Sequence, residues 1–330
     1  MLSPLLLCVL AAAIVFEFIN GFHDTANAIA TTVYTRALPL RVAILMSATM
    51  NFIGALMSEK VAMTIAHGLV NVSLELYVIL AALLGAIIWD LFTWWFSIPS
   101  SSSHALIGSL IGATIVFTSS LDTVMWNGVL MKVVIPLFTS PLVGMALGFS
   151  VMHLVFELFA NWHPSKANAF FHKAQICSSM FMAYSHGNND AQKTMGIITL
   201  AMIGAGLLPE GSGVPTWVKI MCAATMALGT SIGGQRIMKT VGSGVTKLEP
   251  VMGFVSEFSS AVAIETMTAL GAPVSTTQVL TTSVMGTGSA RGAKKVKWGM
   301  AGSIFTAWVV TLPATMFLGG LCAFIIGAIL

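Results

Sequence analysis

Long apolar segments recur along the whole chain, and they limit the fold to one that a lipid bilayer can accommodate. The 330 residues are 56% hydrophobic and only 8% charged, which is too few charges to cover a soluble globule of this size. The segments lack strict alternation and are rich in Gly and Ala, which is typical of packed transmembrane helices and not of barrel strands. We therefore predict an all-α polytopic membrane protein.

Ten segments suit membrane spans, because a bilayer is crossed by about 20 apolar residues in a helix. The sequence predicts five crossings in residues 1–160 and five in residues 174–330, joined by a short cytoplasmic linker at 161–173. The predicted spans are 4–33 (interrupted at Gly21), 38–58, 76–97, a short one at 103–118, 127–156, 174–208 (interrupted at Gly187), 216–236, 252–271, a short one at 274–289, and 299–329.

The distribution of Lys and Arg predicts the orientation, because these residues collect on cytoplasmic loops. With both termini outside, 11 of the 15 basic residues fall on inner loops. These are Arg36, Arg41, Lys166, Lys173, Arg236, Lys239, Lys247, Arg291, Lys294, Lys295 and Lys297. The odd number of crossings per half then predicts two inverted-topology repeats.

A polar motif lies inside an apolar span in each half. Residues 20–27 read NGFHDTAN and residues 186–193 read HGNNDAQK, with Asp24 aligned to Asp190 at an offset of 166. A carboxylate at membrane depth is energetically unfavourable unless a cation or a proton compensates it, so it marks a functional site. Inverted repeats with a site between them are typical of secondary transporters.

These motifs supply candidates for binding a coupling ion. We predict that Asp24 and Asp190 load the driving cation, with Asn27 and Asn189 as neutral oxygen donors. The alternative is that both acids are structural and accept hydrogen bonds from an interrupted backbone. Lys193 stands where the first half has Asn27, so its ammonium could replace one bound cation or contact the substrate directly.

Two hydroxyl clusters follow a proline at corresponding places in the halves. Residues 99–104 read PSSSSH and residues 273–278 read PVSTTQ, at an offset of 174. Helix starts capped by Ser or Thr hold anions, because free backbone N–H groups and the positive dipole end face the ligand. We predict two facing half-helix starts that bind a tetrahedral oxyanion; helix capping with small-residue packing is the simpler alternative. The candidate anion-binding residues are Ser101, Ser102, Ser103, Ser275, Thr276, Thr277 and Lys193.

Further titratable residues lie in the apolar spans. Glu257 is a candidate coupling residue, because its helix leads into the second hydroxyl cluster. Asp90 lies in a Trp-rich segment and is interpreted as structural, near a membrane surface. His23 and His104 adjoin the motifs and are candidates for proton transfer.

The absence of several known motifs argues against other functional classes. No Walker A loop, HExxH sequence or CxxC spacing occurs, which argues against ATP coupling and a bound metal cofactor. No basic tract with interleaved aromatics is present that would suggest binding of nucleic acid.

A passive anion channel and a membrane enzyme acting on a phosphorylated lipid are the alternatives to a transporter. The channel gives no reason for buried acids, and the enzyme would need its polar residues at a membrane surface.

The motifs at 20–31, 99–104, 185–196 and 273–277 resemble those of the inorganic phosphate transporter (PiT) family, with the bacterial low-affinity Pit permeases as the nearest match. The resemblance covers essentially the whole chain. It implies uptake of inorganic phosphate by symport with H⁺ or Na⁺, through alternating access, in the bacterial inner membrane. It also implies a homodimer.

Departures from the family pattern bear on the coupling ion. Sodium-coupled members have Asn where this chain has Lys193, and an acid where it has Asn51. These changes favour proton symport, in which phosphate can travel as a neutral complex with a divalent metal. Glu257 matches an acid of sodium-coupled relatives, so both ions stay open. If Na⁺ is the coupling ion, Asp24 and Asp190 are its candidate ligands.

Sulfate is the alternative anion, because sulfate permeases exist within the same family and hydroxyl-rich turns suit both anions. Phosphate at neutral pH still carries a proton that it can donate to a carboxylate, whereas sulfate does not. The acids within the membrane therefore favour phosphate.

Overall fold

The protein is helical, as the sequence predicts. The computed structural model describes residues 3–70, 74–232, 246 and 248–329, without the side chains of residues 25–27 and 300. Within these ranges the regular structure consists of helices, apart from one isolated antiparallel bridge between Val70 and Val124. The all-α class is therefore confirmed. The basic residues Arg236, Lys239 and Lys247 lie outside the described residues.

Among the described residues, six helices precede residue 161 and five follow it. The first six are α1 (Pro4–Tyr34), α2 (Leu40–Ala55), α3 (Lys60–His67), α4 (Leu76–Trp95), α5 (Ser102–Thr118) and α6 (Trp126–Leu158, with a π turn at Leu130–Val134). The next five are α7 (Pro164–Gly204), α8 (Thr216–Ile232), α9 (Pro250–Ala269), α10 (Thr276–Ala290) and α11 (Trp298–Ile329).

Several of these helices can cross a membrane. In the described residues α1, α4, α6 and the Ala301–Ile329 part of α11 are each long and apolar enough, and α2 with α3 adds a fifth span that is bent by 63°. Large apolar side chains remain on the outer surface, such as Leu45 at 69% exposure and Phe317 at 70%. Such a surface suits lipid and not water. The chain is a multi-pass membrane protein.

The predicted interruptions at Gly21 and Gly187 are wrong. Both α1 and α7 continue through their glycine as unbroken helices. A Cβ atom at Gly21 would lie 2.6 Å from the carbonyl oxygen of Met226, and one at Gly187 would overlap the backbone of Asn51. The two glycines therefore mark close helix crossings, which small residues permit in membrane proteins.

The helix α7 begins earlier than expected. It starts at Pro164, so most of the predicted linker 161–173 is helical. Its 41 residues extend about 60 Å, roughly twice the thickness of a bilayer core. The division of the chain into repeats 1–160 and 174–330 stays a prediction.

Helices α1 and α7 run antiparallel. On α1, Glu17 contacts Thr194 of α7, and Thr32 contacts Ser179 at 2.7 Å. Residue numbers thus rise along one helix while they fall along the other. This is the relative direction that inverted copies of one helix would have.

The apolar core has two parts, and the polar motifs lie between them. The first half of α1 and the second half of α7 pack into one cluster of buried apolar residues, together with α3, α4, α5 and α8. The other ends of α1 and α7 pack into a second cluster with α9 and α10. The polar residues are therefore enclosed by apolar packing on both sides.

The crossing of α5 and α11 generates a prediction about stability. A Cβ atom at Gly112 of α5 would overlap the carbonyl oxygen of Met316 of α11. A Cβ atom at Gly302 of α11 would meet no atom within 4 Å. We expect Gly112→Ala to destabilise the protein by about 1–3 kcal/mol, because backbone must move to admit the methyl group. Thermal unfolding of the purified protein in detergent measures this. Gly302→Ala is the control and should be neutral or slightly stabilising; equal stability of the two variants would contradict the described crossing.

Candidate functional site

The helices α5 and α10 begin inside the protein at the two predicted hydroxyl clusters. The Oγ atom of Ser101 accepts the backbone N–H of His104 at 3.3 Å, and Ser275 Oγ accepts that of Gln278 at 3.4 Å. Both serines are buried. Each cluster therefore caps a helix start, which leaves the next backbone N–H groups and the positive dipole end directed into the protein interior.

The two helix starts touch each other and share a carboxylate. Ser103 Oγ donates to the carbonyl oxygen of Val274 at 2.8 Å, which joins the two turns directly. Ser102 Oγ donates to Asp24 Oδ2 at 2.8 Å, and Thr277 Oγ1 lies 3.5 Å from Asp24 Oδ1. The carboxylate of Asp24 thus connects α1 to both starts.

A second carboxylate, Asp190, lies on α7 beside the same turns. Thr276 Oγ1 donates to Asp190 Oδ2 at 3.4 Å, and Lys193 Nζ lies 2.6 Å from Asp190 Oδ1. Lys193 is fully buried, so its charge is compensated by this ion pair and not by water. We call Asp24 and Asp190 the central acids.

The central acids and a histidine form a potential cation site. Asp24, His186 and Asp190 each offer one ligand atom, and these atoms lie within 4.8 Å of one another. Carboxylate oxygens suit Mg²⁺ or Ca²⁺, and an imidazole nitrogen adds affinity for transition metals. The cluster can therefore hold a divalent cation, and the sequence analysis did not assign His186 to it.

Hydrogen bonds hold the two histidine rings beside the central acids. His23 Nδ1 lies 2.8 Å from Asp24 Oδ1, and His23 Nε2 lies 3.2 Å from Thr93 Oγ1. His186 Nδ1 lies 3.0 Å from Asn51 Oδ1. Such partners fix the orientation of each ring and leave the acids in a defined arrangement.

Not all predicted ion-coupling residues lie at the central acids. Asn189 directs its amide nitrogen to Thr268 Oγ1 at 2.8 Å and to the Ala272 carbonyl at 3.3 Å, near the start of α10. Its Oδ1 atom has no hydrogen-bond partner among the described residues. The side chain of Asn27 lies outside the described part of the structure.

Glu257 forms a separate polar cluster near the C-terminal end of α1. Its carboxylate accepts hydrogen bonds from Thr31 at 2.5 Å, Thr32 at 2.6 Å, Ser178 at 2.5 Å and Gln175 at 3.2 Å. Thr31 lies two helical turns, or about 10 Å, from the central acid of α1. The structure therefore separates Glu257 from Asp24 and the helix starts that meet there.

Two further acids, Glu17 and Asp90, are fully buried. The sequence analysis did not single out Glu17, and its placement of Asp90 near a membrane surface stays a prediction. Glu17 accepts a hydrogen bond from Thr194, and neither carboxylate oxygen of Asp90 has a hydrogen-bond partner among the described residues. The seven-residue spacing from Glu17 to Asp24 could have indicated Glu17 as a candidate, because residues seven apart share a helix face.

Two helix starts and two carboxylates enclosed in a multi-pass helical bundle form the arrangement expected of a membrane transporter. Comparison with known families agrees with this class. Residues 20–319 match the model described as the phosphate transporter family. The chain belongs to this family.

Relatives and a solved structure cover nearly the whole chain. It is 44% identical to a probable low-affinity inorganic phosphate transporter of Bacillus subtilis (strain 168), over 98% of both chains. It is 27% identical to a low-affinity inorganic phosphate transporter of Escherichia coli (strain K12), over 96% of this chain and 95% of that relative. A solved structure described as the sodium-dependent phosphate transporter superposes with a TM-score of 0.91 and 26% identity, covering 99% of this chain and 100% of that chain. The prediction that the chain is a transporter and not an enzyme is confirmed.

The buried ion pair predicts a compensating pair of substitutions. Asp190→Asn leaves the Lys193 ammonium buried without a counter-charge, which should destabilise the protein by about 3–5 kcal/mol. Adding Lys193→Met removes the isolated charge and should recover most of that loss. Thermal unfolding of the single and double variants measures both effects.

The partly exposed pair Lys219–Glu59, at 2.7 Å, provides the control. Glu59→Gln should change stability by only about 0–1 kcal/mol, since solvent screens this pair. A double variant no more stable than Asp190→Asn would show that Lys193 does not depend on Asp190.

Proposed function

We propose that the chain imports inorganic phosphate by symport with a cation. The observation that carries the proposal is the meeting of two hydroxyl-capped helix starts at Asp24, buried within the bundle. Membership of the phosphate transporter family and the names of the relatives support phosphate as the substrate.

Phosphate is held between the two helix starts. Backbone N–H groups and the positive dipole ends of α5 and α10 compensate its charge, while hydroxyl groups add hydrogen-bond donors. Ser101 and Ser275 cap the helices, so their hydroxyls shape the turns, and the neighbouring hydroxyls of the two clusters are the candidates to donate to the anion. These are Ser102, Ser103, Thr276 and Thr277. Lys193 contributes a positive charge beside them.

The coupling cation cancels carboxylate charge that would otherwise repel phosphate. Asp190 is already paired with Lys193, which supports the interpretation that a fixed ammonium replaces one bound cation there. The negative charge left to compensate is that of Asp24, and one proton bound at Asp24 or at a neighbouring acid compensates it, which favours H⁺. Na⁺ remains the second candidate, because the structural neighbour is described as sodium-dependent and Glu257 offers a second acidic cluster.

A metal phosphate complex is a second form of the cargo. The arrangement of Asp24, His186 and Asp190 supports it, since three ligand atoms converge within 4.8 Å. A divalent cation held there would arrive next to the phosphate-binding turns and would leave with the anion.

The transport cycle proposed is alternating access in the bacterial inner membrane, with phosphate entering from the side of the two termini. Rocking of one repeat against the other would expose the site to the cytoplasm. A homodimer is the assembly that the family resemblance implies.

Asp24→Asn tests the coupling site. We expect it to abolish phosphate accumulation against a gradient, because without the negative charge of Asp24 no cation has to enter with phosphate. Uptake of labelled phosphate into proteoliposomes, with proton and sodium gradients imposed separately, measures this. Ser231→Ala, on the exposed face of α8, is the control and should behave as the unsubstituted protein. Full accumulation by Asp24→Asn would remove Asp24 from the coupling mechanism.

Competition identifies the anion. Excess unlabelled phosphate should suppress uptake of labelled phosphate, whereas equal sulfate should leave it nearly unchanged, since sulfate carries no proton to donate to Asp24. Strong inhibition by sulfate would favour a sulfate carrier. Phosphate entry that equilibrates without ever accumulating would instead favour a passive channel.

A further inference from the structure

Glu17 is a fully buried acid that the phosphate-binding turns do not use. One carboxylate oxygen accepts the hydroxyl hydrogen of Thr194, and the other has no hydrogen-bond partner among the described residues. A carboxylate with so few partners is unfavourable as an anion in an apolar interior unless a positive charge or a proton compensates it. The site is therefore suited to bind a proton.

Protonation of Glu17 changes the net charge beside the proposed anion site, because charged residues of that site are its neighbours. Asp190 and Lys193 on α7 and Cys222 on α8 are near enough to interact electrostatically with it. With Glu17 ionised, the group of Glu17, Asp190 and Lys193 has a net charge of −1, counted as two carboxylates and one ammonium. Protonation of Glu17 brings this net charge to zero.

A polar stripe on α1 connects Glu17 to the anion-binding turns. Glu17, Asn20 and Asp24 follow one another at spacings of three and four residues, which places them on one helix face. The Asn20 amide is fully buried, and neither of its polar atoms has a hydrogen-bond partner among the described residues. Glu17 and Asp24 are about 10 Å apart along this stripe.

The position of Glu17 along α1 fits loading from outside. The predicted orientation puts the N-terminus of α1 on the outer side, so Glu17 precedes Asp24 on the path inward. Helix α7 runs the other way and places Thr194 at the same level. The acid therefore lies on the side from which phosphate enters.

We propose that Glu17 carries the coupling proton, an inference that rests on the proposed phosphate symport. A proton from external water forms an O–H bond on the Glu17 carboxylate, and the lost negative charge favours phosphate binding at the turns. By linkage, bound phosphate favours the protonated acid to the same degree. After the site opens inward and phosphate leaves, the O–H bond breaks and the proton passes to internal water.

The central experiment separates proton movement from phosphate exchange. Full-length protein is reconstituted in vesicles that contain a pH-sensitive dye, and labelled inorganic phosphate is the probe. We expect Glu17→Gln to retain exchange of labelled for unlabelled phosphate, because the turns are intact. It should lose phosphate-dependent proton entry and accumulation driven by a proton gradient. Proton entry equal to that of the unsubstituted protein would overturn the proposal.

Glu265→Gln is the matched control, since this acid on α9 accepts a hydrogen bond from Asn188 of α7 at 3.1 Å, whereas Glu17 accepts from Thr194. It should retain both exchange and proton entry. Loss of proton entry in both variants alike would overturn a specific role for Glu17.

Thr194→Val provides a second, nearly isosteric variant if Glu17→Gln does not fold. Removing the hydroxyl that donates to Glu17 disfavours the ionised carboxylate, so the acid keeps its proton at lower proton concentration. The pH at which phosphate uptake is half-maximal should therefore move to more alkaline values. An unchanged pH profile in a folded Thr194→Val protein would contradict the role of Glu17.

Measurements on the unsubstituted protein distinguish failure of the proposed phosphate transport from failure of the proposal for Glu17. Absence of any phosphate exchange would refute the proposed substrate. Phosphate exchange with coupling to a sodium gradient alone would leave the phosphate site standing and would overturn the proposal for Glu17.

Discussion

The site depends on the carboxylate of Asp24. Ser102 of one helix start donates a hydrogen bond to it, and Thr277 of the other helix start approaches it. It joins α1, α5 and α10 at a single point within the apolar bundle. An unpaired charge there would be strongly unfavourable, so every group that reaches Asp24 must either donate a hydrogen bond or bring a positive charge. This requirement explains why hydroxyls, His23 and His186 converge on one place.

Close helix packing makes this convergence possible. Gly21 lets α8 approach α1, and Gly187 lets α2 approach α7, each within one turn of a central acid. Asn51, whose backbone lies against Gly187, in turn contacts His186 with its side chain. The glycines of the two motifs therefore serve the polar site by bringing neighbouring helices near it, and the helices need no break to form the site.

Much of this arrangement could be predicted from the sequence. The apolar spans and the start of α5 at the first hydroxyl cluster follow from local composition. The continuity of α1 through Gly21 could not be predicted from the sequence, because a glycine that admits a neighbouring helix has the same local signal as one that ends a helix. Glu17 was missed because its surroundings depend on a residue of a distant helix, Thr194.

The asymmetry between the two halves decides how charge is balanced. If both halves carried an amide at the position of Lys193, each central acid would need its own mobile cation for phosphate to approach. Lys193 instead stays bound to Asp190 at 2.6 Å in the protein itself, so one of the two negative charges is compensated without any ion being carried. In the proposed symport, fewer cations then have to move with each phosphate, and a lone proton on a neighbouring acid is sufficient to change the net charge of the site. In the proposed mechanism, an ammonium at residue 193 and an amide at the corresponding residue 27 therefore let the carrier couple to a single kind of charge.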